Sequence, residues 1–299
     1  MHSEQPHIIV TGSLGQLGTD IRALQSVFQD FRFHFFSKEE LDITNESEVI
    51  RALTDLQPYA VLNCAAYTNV EKAEDEEEKA TLINGIAPGI LAKACKNSGS
   101  FLLHISTDYV FDGNSKKPYT ETDPVAPISA YGRSKLAGEK AIENNGGDYA
   151  IVRTSWLYSC FGKNFFKTMT RLALENGYLK VVNDQIGAPT YARHLAYDLI
   201  SWLEKCWNKE LKFESGIYHY SQHGQVSWYD FAREIMLNKN MEVPVIPVSS
   251  SEFPTKAKRP VFSKLNSTKF EKTTGLEILS WKEGVLACIH NEMIEHEHD

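Results

Sequence analysis

The sequence predicts an α/β fold, with a doubly wound parallel sheet followed by a smaller C-terminal α/β lobe. Short apolar segments typical of buried strands alternate with amphipathic helical segments through the first half of the chain, and such alternation indicates a parallel sheet. A glycine-rich turn joins the first strand to the first helix. The length of 299 residues is enough for about two domains of roughly 150 residues each.

The predicted elements follow one another at regular intervals as far as residue 155. Strands are expected at 7–11, 32–36, 60–64, 101–105 and 149–153. Helices are expected after the glycine turn, between the fourth and fifth strands, and at 47–56 and 74–96. Beyond residue 155 the pattern loosens into helical stretches at 165–174 and 195–207, short β-like pieces at 179–182 and 216–220, and an extended proline-containing loop at 243–260.

Composition and charge exclude several classes of function. The 39 acidic residues outnumber the 31 basic ones, giving a formal net charge of −8, so neither nucleic acid nor an anionic membrane is expected as a partner. No apolar run of about 18 residues is present, and the N-terminal residues lack the pattern of a signal peptide. The five cysteines are scattered, without a Cys-x-x-Cys pair, as expected for a reducing cytoplasm.

The glycine-rich turn reads Gly12-Ser13-Leu14-Gly15-Gln16-Leu17-Gly18. Glycines at a strand-to-helix turn allow the backbone to approach a pyrophosphate, and the helix N-terminus supplies amide donors and a positive dipole. This arrangement predicts a Rossmann-type dinucleotide site, with nicotinamide cofactors as the expected ligands. The candidate contacts in the turn are Gly12, Leu14, Gly15, Gln16 and Leu17.

The end of the second strand bears on the choice between NAD and NADP. NAD-binding proteins usually carry an acidic residue there for the ribose 2′-hydroxyl, whereas this chain has Ser37 followed by Lys38. A neutral and then a basic residue favour the 2′-phosphate of NADP, although acidic residues follow closely at 39 and 40. Asp42 and Ile43 are candidates for contact with the adenine, with a helix cap as the alternative for Asp42.

A tyrosine and a lysine four residues apart provide the candidate chemistry. Residues i and i+4 share one face of a helix, so Tyr131 and Lys135 are expected side by side, with Ser129 near the start of the helix. An adjacent ammonium lowers the pKa of a phenol, and Tyr131 would then transfer a proton to a carbonyl oxygen as hydride arrives. A hydroxyl of the Ser106-Thr107 pair, at the carboxyl end of the fourth strand, would hydrogen-bond the same carbonyl.

These motifs resemble the extended short-chain dehydrogenases/reductases and, among them, the dTDP-4-dehydrorhamnose reductase family. The matching stretches run almost from end to end, at 63–74, 106–113, 131–140, 153–156, 182–190, 259–260 and 264–266. The resemblance implies reduction of the 4-keto group of dTDP-6-deoxy-L-lyxo-4-hexulose to dTDP-L-rhamnose by NADPH or NADH. It also implies an NAD(P)-binding domain at 1–155, with a return segment near 188–215, and a mainly substrate-binding lobe at 156–299.

The resemblance also assigns roles to individual residues. Thr107, Tyr131 and Lys135 would form the catalytic trio, with Tyr131 as the proton donor. The cofactor would additionally meet Ala65, Ala66 and Tyr67. The residues expected around the substrate are Thr107, Asp108, Trp156, Asn164, Gln185 and Arg259, of which Arg259 would meet the diphosphate.

A metal site found in some members of the family is not expected in this chain. Those members bind Mg²⁺ between two subunits through three acidic positions. Asp20 and Glu292 match two of them, but the third is Arg193, a cation that opposes a hard metal ion. We therefore expect no Mg²⁺, an ion pair from Arg193 to Asp20 or Glu292, and either a monomer or a homodimer.

Two alternative functions remain open from the sequence. A non-catalytic regulatory subunit of the methionine adenosyltransferase type resembles the same family. Loss of the catalytic trio would favour this alternative, whereas Thr107, Tyr131 and Lys135 are all present in this chain. A nucleotide-sugar epimerase or 4,6-dehydratase is the second alternative. The dehydratases carry Asp-Glu directly after the strand-end threonine, whereas here Asp108 is followed by Tyr109.

Overall fold

Six parallel strands form the central sheet of the molecule, which is described over residues 5–296 in a computed structural model. Their bounds are β1 His7–Thr11, β2 Arg32–Phe36, β3 Ala60–Asn63, β4 Phe101–Thr107, β5 Tyr149–Thr154 and β10 Gly216–Tyr220. Their order across the sheet is β10-β5-β4-β3-β1-β2, and each neighbouring pair is parallel. The predicted doubly wound parallel sheet is therefore confirmed.

Helices cover both faces of this sheet. Those before residue 150 are α1 Gln16–Leu24, α2 Glu46–Leu56, α3 Val70–Ala73, α4 Glu77–Thr81, α5 Ala87–Ser98 and α6 Ala130–Asn145. The later helices are α7 Phe165–Asn176, α8 Ala192–Trp207, α9 Trp228–Asn238, α10 Thr268–Thr274 and α11 Trp281–His296. Of these, α8 and α10 contribute to a core cluster of the central sheet, whereas α7, α9 and α11 pack in the C-terminal lobe.

The buried strand β1 shows how the two faces are filled. Successive side chains of a strand point to opposite faces, and Ile8 and Val10 pack in one core cluster while Ile9 packs in another. The first cluster includes apolar residues of α1 and α8, and the second includes residues of α2 and α5. A strand covered on both sides reads as a continuous apolar run, which is why the sequence pattern identified it.

A second core lies in the C-terminal lobe, around Tyr158, Phe166 and Phe231. Three short strand pairs frame it: β6 Leu157–Tyr158 with β9 Thr190–Tyr191, β7 Leu179–Val182 with β12 Val245–Val248, and β8 Ile186–Gly187 with β11 Val226–Ser227. Of the helices within residues 5–296, none is long and apolar enough to cross a bilayer.

The chain returns to the central sheet after first contributing to the second core. Helix α8 packs its apolar face into the same cluster as α1, and β10 pairs with β5 at the edge of the sheet. The division at residue 155, with a return segment near 188–215, stays a prediction about how the chain is organised.

The helix predicted at 74–96 is interrupted in the structure. A π-helical turn at Leu82–Ile86 separates α4 from α5, and Pro88 lies in the first turn of α5. Proline has no N–H with which to bind the carbonyl four residues earlier, so a continuous α-helix cannot form there. The structure also differs from the prediction at 243–260, where the expected loop contains the short strand β12. This is an edge strand, and an edge strand tolerates a proline such as Pro247.

Candidate active site

A cleft of about 770 Å³ opens at the carboxyl ends of β1, β3, β4 and β5 and extends to the C-terminal lobe. Ligands of open α/β sheets bind at this edge, next to the point where the strand order reverses, and here the reversal lies between β1 and β3. The predicted site residues that line the cleft are Gly12, Leu14, Gly15, Gln16, Leu17, Asp42, Ile43, Ala65, Ala66, Thr107, Asp108, Tyr131, Lys135, Trp156, Asn164 and Arg259.

Three predicted site residues are not among the described residues that line this cleft. The backbone N–H of Ser37 donates to the Glu40 carboxylate at 2.7 Å. The Tyr67 hydroxyl donates to Glu76 Oε2 at 3.2 Å. The Gln185 amide donates to Ser250 Oγ at 2.9 Å. Ser37 nevertheless directly precedes Lys38, which does line the cleft.

The glycine turn fits a dinucleotide on observations of its backbone. Gly12 has a φ of +65°, and a Cβ there would lie 2.6 Å from the Ala65 amide nitrogen. A Cβ on Gly18 would lie 2.5 Å from the Gly12 carbonyl oxygen, so both positions require glycine. Gly15 is the N-cap of α1 and offers no side-chain acceptor to the first turn, which leaves the amides of that turn for an anion.

Asp42 does not cap the following helix. Its Oδ1 accepts hydrogen bonds from the Thr44 backbone N–H at 3.0 Å and from the Thr44 hydroxyl at 2.8 Å. The Thr44 backbone bond, and to a lesser degree its hydroxyl, hold the pKa of Asp42 below its ordinary value. The cap of α2 is Asn45 instead, so the Asp42 side chain is fixed at the wall of the cleft.

Helix α6 begins at the cleft and presents Tyr131 in its first turn. Ser129 caps the helix by accepting the Gly132 N–H at 3.2 Å, as the sequence predicted. A Cβ on Gly132 would lie 2.2 Å from the Tyr109 carbonyl oxygen. The glycine therefore lets the helix start pack directly on the turn after β4, which brings Tyr131 next to Thr107 and Asp108.

The protonation of Tyr131 is governed by its surroundings. Burial raises the pKa of Tyr131 to about 12, an effect that the Thr107 hydroxyl opposes and the Asp108 carboxylate reinforces. The expectation that the pKa of Tyr131 is lowered is wrong for this structure, because the effect of burial outweighs the lowering effect of the Thr107 hydroxyl. Tyr131 is consequently a neutral phenol at physiological pH, which is the form that donates a proton.

Lys135 lies one turn further along α6 and is almost completely buried. Its Nζ donates to the Ile105 carbonyl oxygen at 2.7 Å and lies 3.1 Å from His104 Nε2. Burial lowers the pKa of Lys135 to about 8, although the charge of Glu139 opposes this effect. The lysine thus titrates near physiological pH.

Thr107 ends β4, and Asp108 begins the 3₁₀ turn that follows. The Thr107 hydroxyl donates to Asp108 Oδ1 at 3.0 Å and accepts the Tyr109 N–H at 3.2 Å. Burial raises the pKa of Asp108 to about 6, against the lowering effect of the Ser263 and Thr107 hydroxyls. The two side chains form one polar unit at the end of the strand.

An aromatic wall closes the C-terminal side of the cleft. Trp156 stacks on Trp228 with ring centroids 3.5 Å apart and planes 8° apart, and Phe165 packs against Trp228 at 4.5 Å. Trp156 has a φ of +48°, a strained conformation that the surrounding packing must maintain. Trp156 was predicted from the sequence, whereas Trp228 and Phe165 were not, because their partnership depends on contacts between segments distant in the chain.

Arg259 reaches the cleft from the long C-terminal loop. Its Nη2 donates to Glu71 Oε1 at 2.8 Å, while Nε is buried without a hydrogen-bond partner among the described residues. Burial raises the pKa of Glu71, but Arg259 and the Ala257 and Lys256 amides outweigh it and leave that pKa below its ordinary value. Arg259 thus lines the cleft with one buried guanidinium donor unused among the described residues.

Asn164 connects the two sides of the cleft. Its Oδ1 caps α7 by accepting the Lys167 N–H at 3.0 Å. Its Nδ2 donates to Ser159 O at 2.7 Å and to Gln16 Oε1, in the glycine turn, at 3.3 Å. These bonds give Asn164 a structural role in addition to its place in the cleft wall.

The acidic positions considered for a metal are engaged with cations. Arg193 Nε donates to Asp20 Oδ1 at 2.9 Å and Arg193 Nη2 to Glu295 Oε1 at 3.4 Å. The predicted pair with Asp20 is therefore confirmed, whereas Glu292 pairs with Lys239 instead. Within residues 5–296, no group of three or more His, Cys, Asp or Glu side chains is arranged to hold a metal.

Comparison with known proteins identifies the family. The model of the RmlD substrate binding domain matches residues 6–294. A dTDP-4-dehydrorhamnose reductase of Burkholderia thailandensis is 38% identical over 296 residues, covering 95% of this chain and 98% of that protein. The enzyme of the same name from Escherichia coli K12 is 39% identical, covering 93% and 95%. The chain belongs to the dTDP-4-dehydrorhamnose reductase family.

Solved structures agree with this family assignment. The dTDP-4-dehydrorhamnose reductase of Bacillus anthracis in complex with NADP superposes with a TM-score of 0.91 at 38% identity, covering 96% of this chain and 100% of that one. UDP-glucose 4-epimerase of Thermus thermophilus, with NAD bound, gives a TM-score of 0.80 at 16% identity, covering 96% and 99%. The second likeness extends to the fold alone.

Proposed function

We propose that this protein reduces the 4-keto group of dTDP-6-deoxy-L-lyxo-4-hexulose to dTDP-L-rhamnose, with NADPH or NADH as the hydride donor. The observation that carries the proposal is that Thr107, Tyr131 and Lys135 line the same cleft as the glycine turn. A neutral phenol, a lysine and a strand-end hydroxyl next to a dinucleotide site are the groups that carbonyl reduction requires.

Tyr131 is the proposed proton donor. Its raised pKa keeps the phenol protonated, so the proton is available as negative charge develops on the carbonyl oxygen. The nicotinamide supplies the hydride when bound. Proton donation from Tyr131 to the oxygen completes the alcohol and leaves a phenolate that must be reprotonated.

Lys135 and Thr107 are the proposed supporting groups. Lys135 would stabilise that phenolate and bind the nicotinamide ribose, and its place on the Tyr131 face of α6 supports this role. The Thr107 hydroxyl would orient the carbonyl. In this structure that hydroxyl donates its one hydrogen to Asp108 Oδ1 at 3.0 Å, so the hydrogen would have to turn toward the carbonyl oxygen when the keto sugar binds.

The cofactor proposal combines the glycine turn with the end of β2. Gly12, Leu14, Gly15, Gln16 and Leu17 would hold the pyrophosphate, and Ala65 and Ala66 would contact the nucleotide from β3. NADP is the preferred cofactor in this proposal because Lys38 lines the cleft, where its charge suits a 2′-phosphate. Asp42 and Ile43 would flank the adenine.

The substrate proposal uses the opposite wall. Trp156, stacked on Trp228, would pack against the sugar, and the Arg259 guanidinium would meet the diphosphate. Asn164 would border the sugar. Gln185 is not included because its amide is bound to Ser250. Binding energy from the diphosphate and nucleoside then positions the keto group for reaction.

The wider setting of the protein is proposed on the same basis. Residues 1–155 would form the nucleotide-binding domain, and residues 156–299 would contribute mainly to the substrate side. The protein would work in the cytoplasm as a monomer or homodimer, with no nucleic acid or membrane partner and without Mg²⁺. The net charge of −8 supports the absence of a nucleic-acid partner.

Neither alternative function is supported. The complete trio favours catalysis over a purely regulatory subunit, and the described epimerase likeness is limited to the fold at 16% identity. A reductase also consumes its reduced cofactor, whereas an epimerase regenerates it.

The Tyr131→Phe variant tests the proposed mechanism. We expect it to lose turnover by at least about a hundredfold, the usual contribution of a positioned acid, while binding NADPH as tightly as the unaltered protein. Phe occupies the same space, so the fold should be preserved. Retention of most of the rate would show that Tyr131 is not the proton donor.

A further inference from the structure

A chain of buried polar side chains lies directly beneath Lys135. Thr11, Asn63, His104 and Lys135 are each about 1% exposed. The Thr11 hydroxyl donates to Asn63 Oδ1 at 2.7 Å, and Asn63 Nδ2 lies 2.8 Å from His104 Nδ1. His104 Nε2 lies 3.1 Å from Lys135 Nζ. The chain therefore crosses β1, β3 and β4 and ends at the lysine of the trio.

The direction of these hydrogen bonds is determined by one backbone group. The Ala65 N–H donates to Asn63 Oδ1 at 3.2 Å, and a backbone N–H can only donate. This bond and the Thr11 hydroxyl hold the oxygen of the Asn63 amide toward β1, so the NH₂ group faces His104 Nδ1. Because an NH₂ group donates, His104 Nδ1 accepts, and the proton of the neutral ring lies on Nε2.

The Nε2–H group then points at Lys135 Nζ. An ammonium has three donors and no acceptor, whereas a neutral amine has a lone pair that accepts this hydrogen. Lys135 Nζ also donates to the Ile105 carbonyl oxygen at 2.7 Å. A neutral Lys135 amine can make both contacts, whereas an ammonium has no lone pair to accept the hydrogen of His104 Nε2.

The surrounding charges are consistent with this arrangement. Burial and the nearby Lys135 hold the pKa of His104 well below its ordinary value. Burial lowers the pKa of Lys135 to about 8, with Glu139 on α6 and Cys64 after β3 acting in the opposite direction. Glu139 is in turn paired with Arg153, at 2.7 Å between Nη2 and Oε2. Tyr131, four residues before Lys135, lies on the same face of α6.

We propose that His104 is a positioning residue whose Nε2–H donates to Lys135 Nζ and so favours the proton-poor form of the lysine beside Tyr131. The proposal rests on the proposed function for the importance of Lys135 in turnover. It adds that the identity of the residue at 104 sets the pH above which the Lys135 ammonium is lost.

The sign of a pH shift tests this inference. In the unaltered protein we expect kcat/KM for the keto sugar to fall above about pH 8, following Lys135. His104→Phe removes the donor to the neutral amine, so Lys135 should keep its proton to higher pH and the fall should move upward by about one pH unit. If His104 instead accepts from an ammonium, the same substitution moves the fall downward. A downward shift or no shift would overturn the proposal.

His34→Phe is the matched control for this experiment. His34 lies on β2 and does not line the cleft, so we expect its pH profile to equal that of the unaltered protein. This control separates the effect of the Lys135 contact from a general effect of replacing a histidine by phenylalanine.

A measurement on the unaltered protein is independent of its activity. Nitrogen-15 NMR distinguishes the two neutral histidine tautomers, and the His104 signal is assigned by its absence in His104→Phe. At pH 9 we expect the Nε2–H tautomer, and the Nδ1–H tautomer would overturn the inference. An Nε2–H signal in a protein without reductase activity would contradict the proposed function alone, whereas Nδ1–H in an active reductase would contradict only the role of His104.

Discussion

Arg193 Nε lies 2.9 Å from Asp20 Oδ1 and joins α8 to α1. Asp20 is fully buried, and its other oxygen accepts the Ser159 hydroxyl at 2.6 Å. Burial raises the pKa of Asp20, whereas the Ser159 and Arg193 hydrogen bonds lower it. The Arg193 guanidinium therefore compensates the negative charge of the buried Asp20 carboxylate.

Replacing this guanidinium should destabilise the fold. Arg193→Met keeps most of the side-chain length but leaves Asp20 buried without its cation, and we expect the free energy of unfolding in urea to fall by about 2–3 kcal/mol. The control is Arg171→Met, which removes an exposed pair with Glu175 and should cost less than about 0.5 kcal/mol. Equal losses in the two variants would contradict a special role for the buried pair.

Removal of metal ions should have no effect on the protein. Because Arg193 occupies the contact with Asp20, we expect EDTA treatment to leave both the reduction rate and the mass of the assembly in solution unchanged. Rate measurements and light scattering before and after treatment check this. A clear loss of either, restored by added Mg²⁺, would show that a metal binds despite the arginine.

The position of Trp156 should determine how tightly the sugar binds. A Cβ on Gly187 would lie 2.6 Å from Trp156 Cε2, so Gly187→Ala must displace the indole from its stack on Trp228. We expect KM for the dTDP-sugar to rise about tenfold, corresponding to about 1.4 kcal/mol of binding free energy, while the Kd for NADPH stays the same. Trp228→Leu should produce the same selective rise. An equal weakening for cofactor and sugar would argue against a sugar-binding role for this wall.

The charge of Lys38 should influence the choice of cofactor. Lys38→Glu places a carboxylate where the 2′-phosphate of NADP would approach, so we expect the ratio of kcat/KM for NADPH to that for NADH to fall at least about tenfold. Lys116→Glu makes the same charge change at an exposed position outside the cleft and should leave the ratio unaltered. A ratio that is unchanged in both variants would show that Lys38 does not contact the cofactor.

The sequence identified those features that depend on local spacing. The glycine turn and the Tyr131–Lys135 pair were found because residues of one turn or one helix face are close in the chain. The apolar run of β1 and the Ser129 cap of α6 were recognisable for the same reason. The same kind of local pattern, repeated along the chain as alternating strands and helices, was sufficient to predict the parallel sheet.

The remaining features depend on contacts between distant segments. The stack of Trp156 on Trp228 joins residues from two separate elements, and β12 forms only because β7 is available as a partner. The orientation of His104 depends on Asn63 and on the Ala65 amide. A short apolar segment or a single buried histidine does not reveal such partners by itself.

The most direct test of the central claim is the absorbance of the reduced nicotinamide, followed with purified protein and dTDP-6-deoxy-L-lyxo-4-hexulose generated in the tube. NADPH and NADH are supplied in parallel reactions. We predict one equivalent of cofactor oxidised per equivalent of keto sugar, with dTDP-L-rhamnose as the product and the higher kcat/KM for NADPH. No oxidation by a protein that demonstrably binds the cofactor would contradict the proposed reduction.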